Sequence, residues 1–355
     1  MGQWIFNKRT DLTWLFLPVW MCWLVLLLLP ADIRTMDSPL WVWIVFVLGI
    51  DVSHVWSTLF RTYLDREEFT KHRRLLIFAP VAGFLLALII ASISLTLFWR
   101  ILAYVAVFHF VKQQYGFMRI YKAKARDFGR QRIGDNFVIY LSMIYPILFW
   151  HLNSDRAFSW FMDGDFVSFN LGPLLPVFNT VGTAIYVCLI GAWLVQELLR
   201  QRGNFPVGKL LWVLTTAVNW SLGIVFFNSD LVFTITNVVA HGMPYMALVI
   251  FYQRRKGKLT HARNRGVAYA LTIIGVVLLL AFGEEYFWDQ FVNRTHPQVF
   301  GAVFPYLAEA PTLPWQVLAT AFLSVPQIAH YIIDGFIWKN NEKNPYLKPV
   351  LFGSA

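Results

Sequence analysis

Residues 313–338 read LPWQVLATAFLSVPQIAHYIIDGFIW, and this stretch decides how the chain is interpreted. Asp334 is its only carboxylate, and no Lys or Arg occurs in it. About 20 consecutive apolar residues in an α-helix cross a hydrocarbon core of about 30 Å, so the stretch predicts a transmembrane helix. His330 and Asp334 lie one helical turn apart inside it. Ionisable side chains are costly in a bilayer, and their presence indicates a functional site.

The rest of the chain has the same character. It is 355 residues long, 57% hydrophobic and 14% charged, whereas a soluble domain carries about a quarter charged residues. We therefore predict an all-α, polytopic transmembrane helical bundle that forms a single integral membrane domain over residues 1–355. The ten predicted spans cover residues 12–31, 38–62, 75–95, 97–120, 136–152, 175–199, 208–227, 231–252, 267–288 and 313–338.

The net charge of +10 could indicate nucleic-acid binding, but the distribution of the charges indicates membrane orientation instead. Lys and Arg concentrate at both ends of the chain and in every second loop, within 61–74, 119–132, 200–209 and 254–265. The positive-inside rule then predicts that both termini lie in the cytoplasm. We expect a multi-pass protein of a bacterial inner (plasma) membrane, in contact with membrane lipids and with no nucleic-acid partner.

The histidines divide into two groups. We expect four of the eight to lie in loops or at a helix end: His72, His151, His261 and His296. The other four lie one each on spans 2, 4, 8 and 10: His54, His109, His241 and His330. Those spans run in the same direction, and at 1.5 Å per residue their offsets from the basic inner ends place all four imidazoles about 10–20 Å from the cytoplasmic surface. One shared cluster follows from this agreement in depth.

Each of these histidines has polar residues three or four positions away, on the same helix face. They are Asp51 beside His54, Lys112 and Gln113 beside His109, Asn237 beside His241, and Gln327 and Asp334 beside His330. A metal-bound imidazole usually needs a carboxylate, amide or carbonyl partner on its second nitrogen. We therefore predict that the four histidines bind a metal, with Asp51, Asp334, Asn237 and Gln113 as orienting partners or additional ligands.

The ligand type limits the metal. Imidazole suits Fe, Cu, Zn or Ni, and Cys22 and Cys188 both fall inside apolar runs, which argues against an iron–sulfur cluster or a closed thiolate zinc site. A mononuclear centre with four histidine ligands and a dinuclear centre that includes Asp51 and Asp334 both remain open. Lys112 is the predicted catalytic residue, supplying positive charge to a substrate or an oxygen-derived species, unless it only neutralises an aspartate.

Two other classes of protein fit parts of this pattern. Pairs of histidines could hold haem in a membrane electron-transfer protein. A proton-coupled transporter could use the Asp and His residues as a relay. Pro244 beside His241 is expected to kink span 8, which could open a substrate path or only orient His241, and no matching broken helix is predicted in another half of the chain. Three acids at the outer end of span 9 are expected to be solvated: Glu284, Glu285 and Asp289.

Four motifs carry a family resemblance: DVSHVW at 51–56, VFHFVKQQ at 107–114, AHGMP at 240–244 and AHYIID at 329–334. The histidine boxes of membrane desaturases and hydroxylases are absent from the sequence. The arrangement resembles the bacteriorhodopsin-related membrane β-carotene dioxygenases, in which intramembrane histidines hold one iron. The resemblance implies a non-haem iron oxygenase that acts on a lipid-soluble small molecule; the redox partner stays unspecified.

Overall fold

The computed structural model of the chain describes residues 3–35, 38–153, 155–156, 159–200, 205–260, 266–303, 305–306 and 312–353. Within these ranges the secondary structure is helical, without strands. We number ten main helices: α1 Lys8–Leu28, α2 Leu40–Arg61, α3 Arg66–Ile93, α4 Leu95–Lys124, α5 Asp135–Leu152, α6 Gly172–Arg200, α7 Val207–Phe226, α8 Asp230–Leu259, α9 Val267–Asn293 and α10 Leu313–Ile337. His261 and parts of two basic loops lie outside the described residues.

Nine of the helices in the described ranges are long and apolar enough to cross a membrane, namely all except α5. This agrees with a multi-pass membrane protein. The remaining predicted span, the fifth, covers 136–152 and does form helix α5, but with 18 residues that include Asp135 and His151 this helix is the shortest of the ten. The sequence therefore places the helices correctly, and the crossing of α5 stays a prediction.

Helix α3 begins at Arg66, well before the predicted start of its span at residue 75. The Asp65 side chain caps it by accepting a hydrogen bond from the Glu68 N–H at 3.2 Å, and acidic residues in a first turn favour the helix dipole. The expectation that His72 lies in a loop is therefore wrong. It lies on α3, is buried, and its Nε2 contacts the Asn344 side chain at 3.0 Å.

Two spans depart from a regular α-helix. In α2, Trp43–Val52 form a π-helical segment that ends just before His54; such segments often occur at functional sites. Helix α10 is interrupted at Ser324, between Leu313–Leu323 and Val325–Ile337. Pro326 lacks the N–H that would continue the ladder across the break. The second part of α10 carries His330.

The chain divides into two compact units, and the first takes Met1–Phe46 and Ala106–Pro244. Helix α7 packs against α5 in this unit. The Lys209 ammonium is fully buried and contacts the carboxylates of Asp127, Asp135 and Glu197 at 2.5, 3.1 and 2.7 Å. The cation at the start of α7 is thereby neutralised within the unit.

The second unit takes Val47–Val105 and Tyr245–Gly353. Helix α3 packs along α10 through small and branched residues that include Ala79 and Ala329. The Arg61 guanidinium is fully buried, pairs with Glu68 at 2.7 Å, and donates to the Ile337 carbonyl at 3.0 Å. Arg61 therefore fixes the C-terminal end of α10. A single integral membrane domain over 1–355 stays a prediction.

Candidate metal centre

In the first unit, His109 of α4 and His241 of α8 form a buried pair. Their ring centroids are 5.1 Å apart and the rings meet edge to face at 80°. Phe110 stacks on the His241 ring at 3.6 Å with an interplanar angle of 9°. This stacking restricts rotation of His241, and the apolar ring limits access of water to it.

A proline removes one backbone hydrogen bond from α8 beside His241. Pro244 has no N–H, so the carbonyl of Ala240 loses its helical partner. Gln114 of α4 donates to that carbonyl at 3.2 Å, and Gln113 donates to the His241 carbonyl at 2.8 Å. The two amides thus satisfy and fix the turn of α8 that carries His241.

The second unit contains a pair of the same form. His54 of α2 and His330 of α10 have ring centroids 5.1 Å apart, again at 80°. The carboxylates of the predicted aspartate partners are near the two rings without reaching their nitrogens. His54 Nδ1 lies 3.6 Å from Asp51 Oδ1, and His330 Nδ1 lies 3.7 Å from Asp334 Oδ1, both beyond hydrogen-bond range.

His330 is connected to Asp334 through two hydroxyl groups instead. Tyr245 donates to Asp334 Oδ1 at 2.6 Å, Tyr245 and Thr58 hydroxyls are 2.9 Å apart, and Thr58 Oγ1 lies 2.7 Å from His330 Nδ1. Each hydroxyl has one hydrogen to give. With Tyr245 donating to Asp334, Thr58 donates to Tyr245 and accepts from His330, so Nδ1 carries the proton and Nε2 is the nitrogen that could bind a metal.

Across the described chain, one group of His, Cys, Asp or Glu side chains has the geometry to hold a metal: His54, His109, His241 and His330. Each offers one ligand atom, these atoms all lie within 4.8 Å of one another, and all four residues are buried. Nitrogens this close could share one metal ion, whose bonds to histidine nitrogens are about 2.0–2.1 Å long.

An unsatisfied polar atom is a further observation that fits a metal centre. The Gln113 Oε1 atom is buried and, within the described ranges, has no hydrogen-bond partner. Gln113 lies one helical turn after His109. A buried acceptor without a donor is unfavourable, so this oxygen is suited to accept a hydrogen bond from a polar ligand bound at the histidines.

The other predicted site residues have different neighbours. Neither Asp51 nor Asp334 belongs to the four-histidine group. The Asn237 side chain accepts a hydrogen bond from Asn219 at 3.2 Å. Among the described side chains, no hydrogen bond between Asn237 and His241 is found. The Lys112 ammonium donates to the Tyr140 hydroxyl at 3.1 Å. The Gln327 amide donates to Tyr331 at 2.7 Å.

Sequence reasoning missed Thr58, Tyr245 and Gln114. Thr58 lies four positions after His54, and Tyr245 lies four positions after His241. This spacing marks them as neighbours of a histidine but does not predict the contacts that they make with another helix. The expectation of solvated acids on α9 is also wrong for Asp289, which is 2% exposed and accepts a hydrogen bond from the His296 N–H at 2.7 Å.

No protein-family model, curated protein or solved structure matches this chain in the comparisons.

Proposed function

We propose that the protein is a membrane-integral, non-haem iron oxygenase or related oxidoreductase that acts on a lipophilic substrate at the four-histidine group. The observation that carries the proposal is the approach of four buried histidine nitrogens to within 4.8 Å, each from a different candidate span. Imidazole suits iron among the transition metals, and the resemblance to membrane β-carotene dioxygenases favours iron over copper or zinc.

The proposal includes ten spans with cytoplasmic termini in a bacterial inner membrane. Alternation of basic and weakly charged loops supports this topology. In that orientation the histidines lie within the bilayer, where a substrate dissolved in the lipid can reach them without entering water.

The side chains would have separate roles at the site. His54, His109, His241 and His330 would hold the metal, and bound iron would supply redox chemistry toward dioxygen. The chain from His330 through Thr58 and Tyr245 to Asp334 holds a proton on Nδ1 and orients the ring. Phe110, stacked on His241, excludes water from that ring.

Haem is supported less well than a single metal ion. The two histidines that bind a haem lie on opposite sides of the porphyrin plane. Here the rings within each pair are in edge-to-face contact at 5.1 Å, which leaves no layer for a porphyrin between them. A dinuclear centre with Asp51 and Asp334 is supported less well too, since four histidines form the group without them.

Metal analysis combined with an absorption spectrum tests the proposal. Purified protein should contain about one equivalent of iron without a Soret band, and His109→Ala and His330→Ala should each lose most of it. His296→Ala, a histidine in the segment between α9 and α10, is the matched control and should retain the metal. Wild-type protein without metal, or iron unchanged in both site variants, would reject the metal centre; a Soret band would assign haem.

The reaction class has its own test. Iron-loaded protein in detergent should consume dioxygen when it is supplied with a lipophilic substrate; β-carotene, which would yield retinal, is the probe that the resemblance implies. Dioxygen uptake with another lipophilic probe, and none with β-carotene, would support an oxygenase and exclude a carotenoid as its substrate. Absence of uptake with every probe, in protein that holds iron, would contradict the oxygenase.

A further inference from the structure

Lys112 lies on α4, three residues after His109, with its side chain exposed in a segment long and apolar enough to span a membrane. A charged side chain in contact with lipid is costly and marks a functional position. The metal group does not include it, and its contacts lie within the first unit.

The Lys112 ammonium lies among aromatic side chains. It donates to the Tyr140 hydroxyl of α5 at 3.1 Å and lies 4.9 Å from the centroid of the Tyr115 ring, and the Tyr115 and Tyr140 rings stack at 5.3 Å. No carboxylate of the described chain is found paired with Lys112. Aromatic rings attract a cation but do not neutralise it, so one positive charge remains for a ligand.

The donor arrangement matches a carboxylate. Because Lys112 donates to the Tyr140 oxygen, the hydroxyl hydrogen of Tyr140 is free to point to another acceptor. Two ammonium hydrogens also remain. An ammonium and a neighbouring phenol hydroxyl can each bind one oxygen of a singly charged carboxylate, and such charge-assisted hydrogen bonds are the stronger kind.

The surface beside these donors is apolar. Phe108, one turn before Lys112 on α4, is 63% exposed. On α5, Ile144 and Leu148 follow Tyr140 at one and two turns and are 52% and 44% exposed. These residues form two apolar stripes, one on α4 and one on α5. Because Lys112 contacts Tyr140, both stripes begin at the same place and extend away from the Lys112 ammonium. Tyr140 lies only five residues into α5, about 7.5 Å along its axis, which is close to the expected level of the cytoplasmic interface.

We propose that Lys112 and Tyr140 bind the carboxylate of a long-chain amphiphile whose apolar chain follows these stripes. The inference rests on the proposed function, because it identifies the amphiphile as the substrate class of the metal site. With its carboxylate at Lys112, the chain of the ligand passes the turn that carries His109. Lys112 is then a substrate-binding residue.

Binding of a pyrene-labelled long-chain fatty acid, compared with its methyl ester, tests this inference in the purified full-length protein. Wild type should bind the acid about tenfold or more tightly than the ester. Lys112→Met should abolish the preference and Tyr140→Phe should reduce it, whereas Lys112→Arg should retain part of it. Lys339→Met is the matched control, since Lys339 is also exposed and lies 4.8 Å from an aromatic ring, that of Phe336.

Iron content measured on the same samples separates the two proposals. Iron-loaded wild type that binds acid and ester equally would overturn the carboxylate site and leave the metal centre intact. If the wild type lacks iron but shows the Lys112-dependent preference for the acid, the carboxylate site is supported. Its role as the substrate site of a metal centre is then overturned. Selective retention of anionic phospholipid, lost in Lys112→Met and with no fatty-acid preference, would overturn the fatty acid in favour of a lipid headgroup.

Discussion

Thr58 and Tyr245 determine which nitrogen of His330 is available to a metal. Neither side chain is charged, and both lie in the buried interior of the second unit. Their hydroxyls link the Asp334 carboxylate to His330 Nδ1 through hydrogen bonds of 2.6 to 2.9 Å. Orienting partners of this kind commonly change metal affinity by about 10–100-fold.

Replacing Thr58 should therefore weaken metal binding without removing a ligand. We expect Thr58→Val to lower iron affinity by about 10–100-fold, because His330 Nδ1–H loses its acceptor, and Thr58→Ser to restore it. Competition titration against a chelator measures the affinity. Ser57→Ala is the control, since the buried Ser57 hydroxyl donates to the His54 carbonyl and not to an imidazole nitrogen. Equal affinities for Thr58→Val and wild type would contradict the assigned role.

The aspartates show why sequence reasoning found the site but not its connections. Helical spacing correctly brings Asp51 and Asp334 within 4 Å of their histidines. It cannot show that hydroxyls from other helices come closer. Thr58 reaches His330 from α2, and that contact depends on how α2 and α10 pack, which no single-helix pattern contains.

At the scale of elements, the turn of α8 that contains Pro244 is stabilised by a neighbouring helix. Gln114 supplies the hydrogen bond that Pro244 removes, and Gln114 is itself held by Thr216 of α7 at 3.2 Å. A buried carbonyl without a partner costs about 1–3 kcal/mol. The hydrogen bond that Pro244 removes thus has a specific replacement, and the kink at Pro244 stays a prediction.

A double-mutant cycle measures this compensation. Gln114→Leu should destabilise the wild type by about 1–3 kcal/mol. In a Pro244→Ala background it should cost less, since position 244 regains the N–H that pairs with the Ala240 carbonyl. Unfolding in detergent by a denaturant titration gives the four stabilities. Equal costs of Gln114→Leu in both backgrounds would show that the glutamine does not compensate for the proline.

The start of α3 depends on a charge as well as on a cap. Burial alone raises the pKa of the Asp65 carboxyl, but the hydrogen bond and positive charge of Lys256, 2.9 Å away, outweigh burial and lower the pKa below its ordinary range. A carboxyl with a lowered folded-state pKa stabilises the protein above its ordinary pKa of about 3.9. That stability is lost as the pH falls through the lowered value.

We therefore expect the thermal midpoint of the wild type to fall between about pH 5 and pH 2, and Asp65→Asn to show a smaller fall. Asparagine keeps the cap on Glu68 N–H, so the difference isolates the charge. Thermal scans in detergent across this range provide the measurement. Glu342→Gln is the control: Glu342 is exposed and lies outside the ten main helices, so this variant should keep the wild-type profile. Identical pH profiles for Asp65→Asn and wild type would exclude this contribution.

For the whole molecule, hydrophobic length alone places the helices. Each predicted span corresponds to one of α1 to α10, because about 20 apolar residues leave few alternatives in a membrane. The ends are less accurate, and α3 begins earlier because of the Asp65 cap. The two compact units could not be predicted, since each combines separate parts of the chain and no repeat or composition change marks them.

Helix α5 decides the topology of the whole chain. If all ten helices cross, both termini lie on one side; if α5 does not cross, the termini lie on opposite sides. We expect ten crossings, because basic residues flank α5 at 119–132 and its other end leads to a weakly basic loop.

Single-cysteine labelling distinguishes the two topologies in a variant in which Cys22 and Cys188 are replaced by alanine. A membrane-impermeant thiol reagent should label Asp163→Cys in intact cells. It should label Lys8→Cys and Lys343→Cys only after the membrane is permeabilised. Labelling of Lys8→Cys and Lys343→Cys from opposite sides would show that α5 does not cross. The four helices that carry the histidine group would then no longer run in the same direction, and the shared depth of the histidines inferred from their offsets would lose its basis.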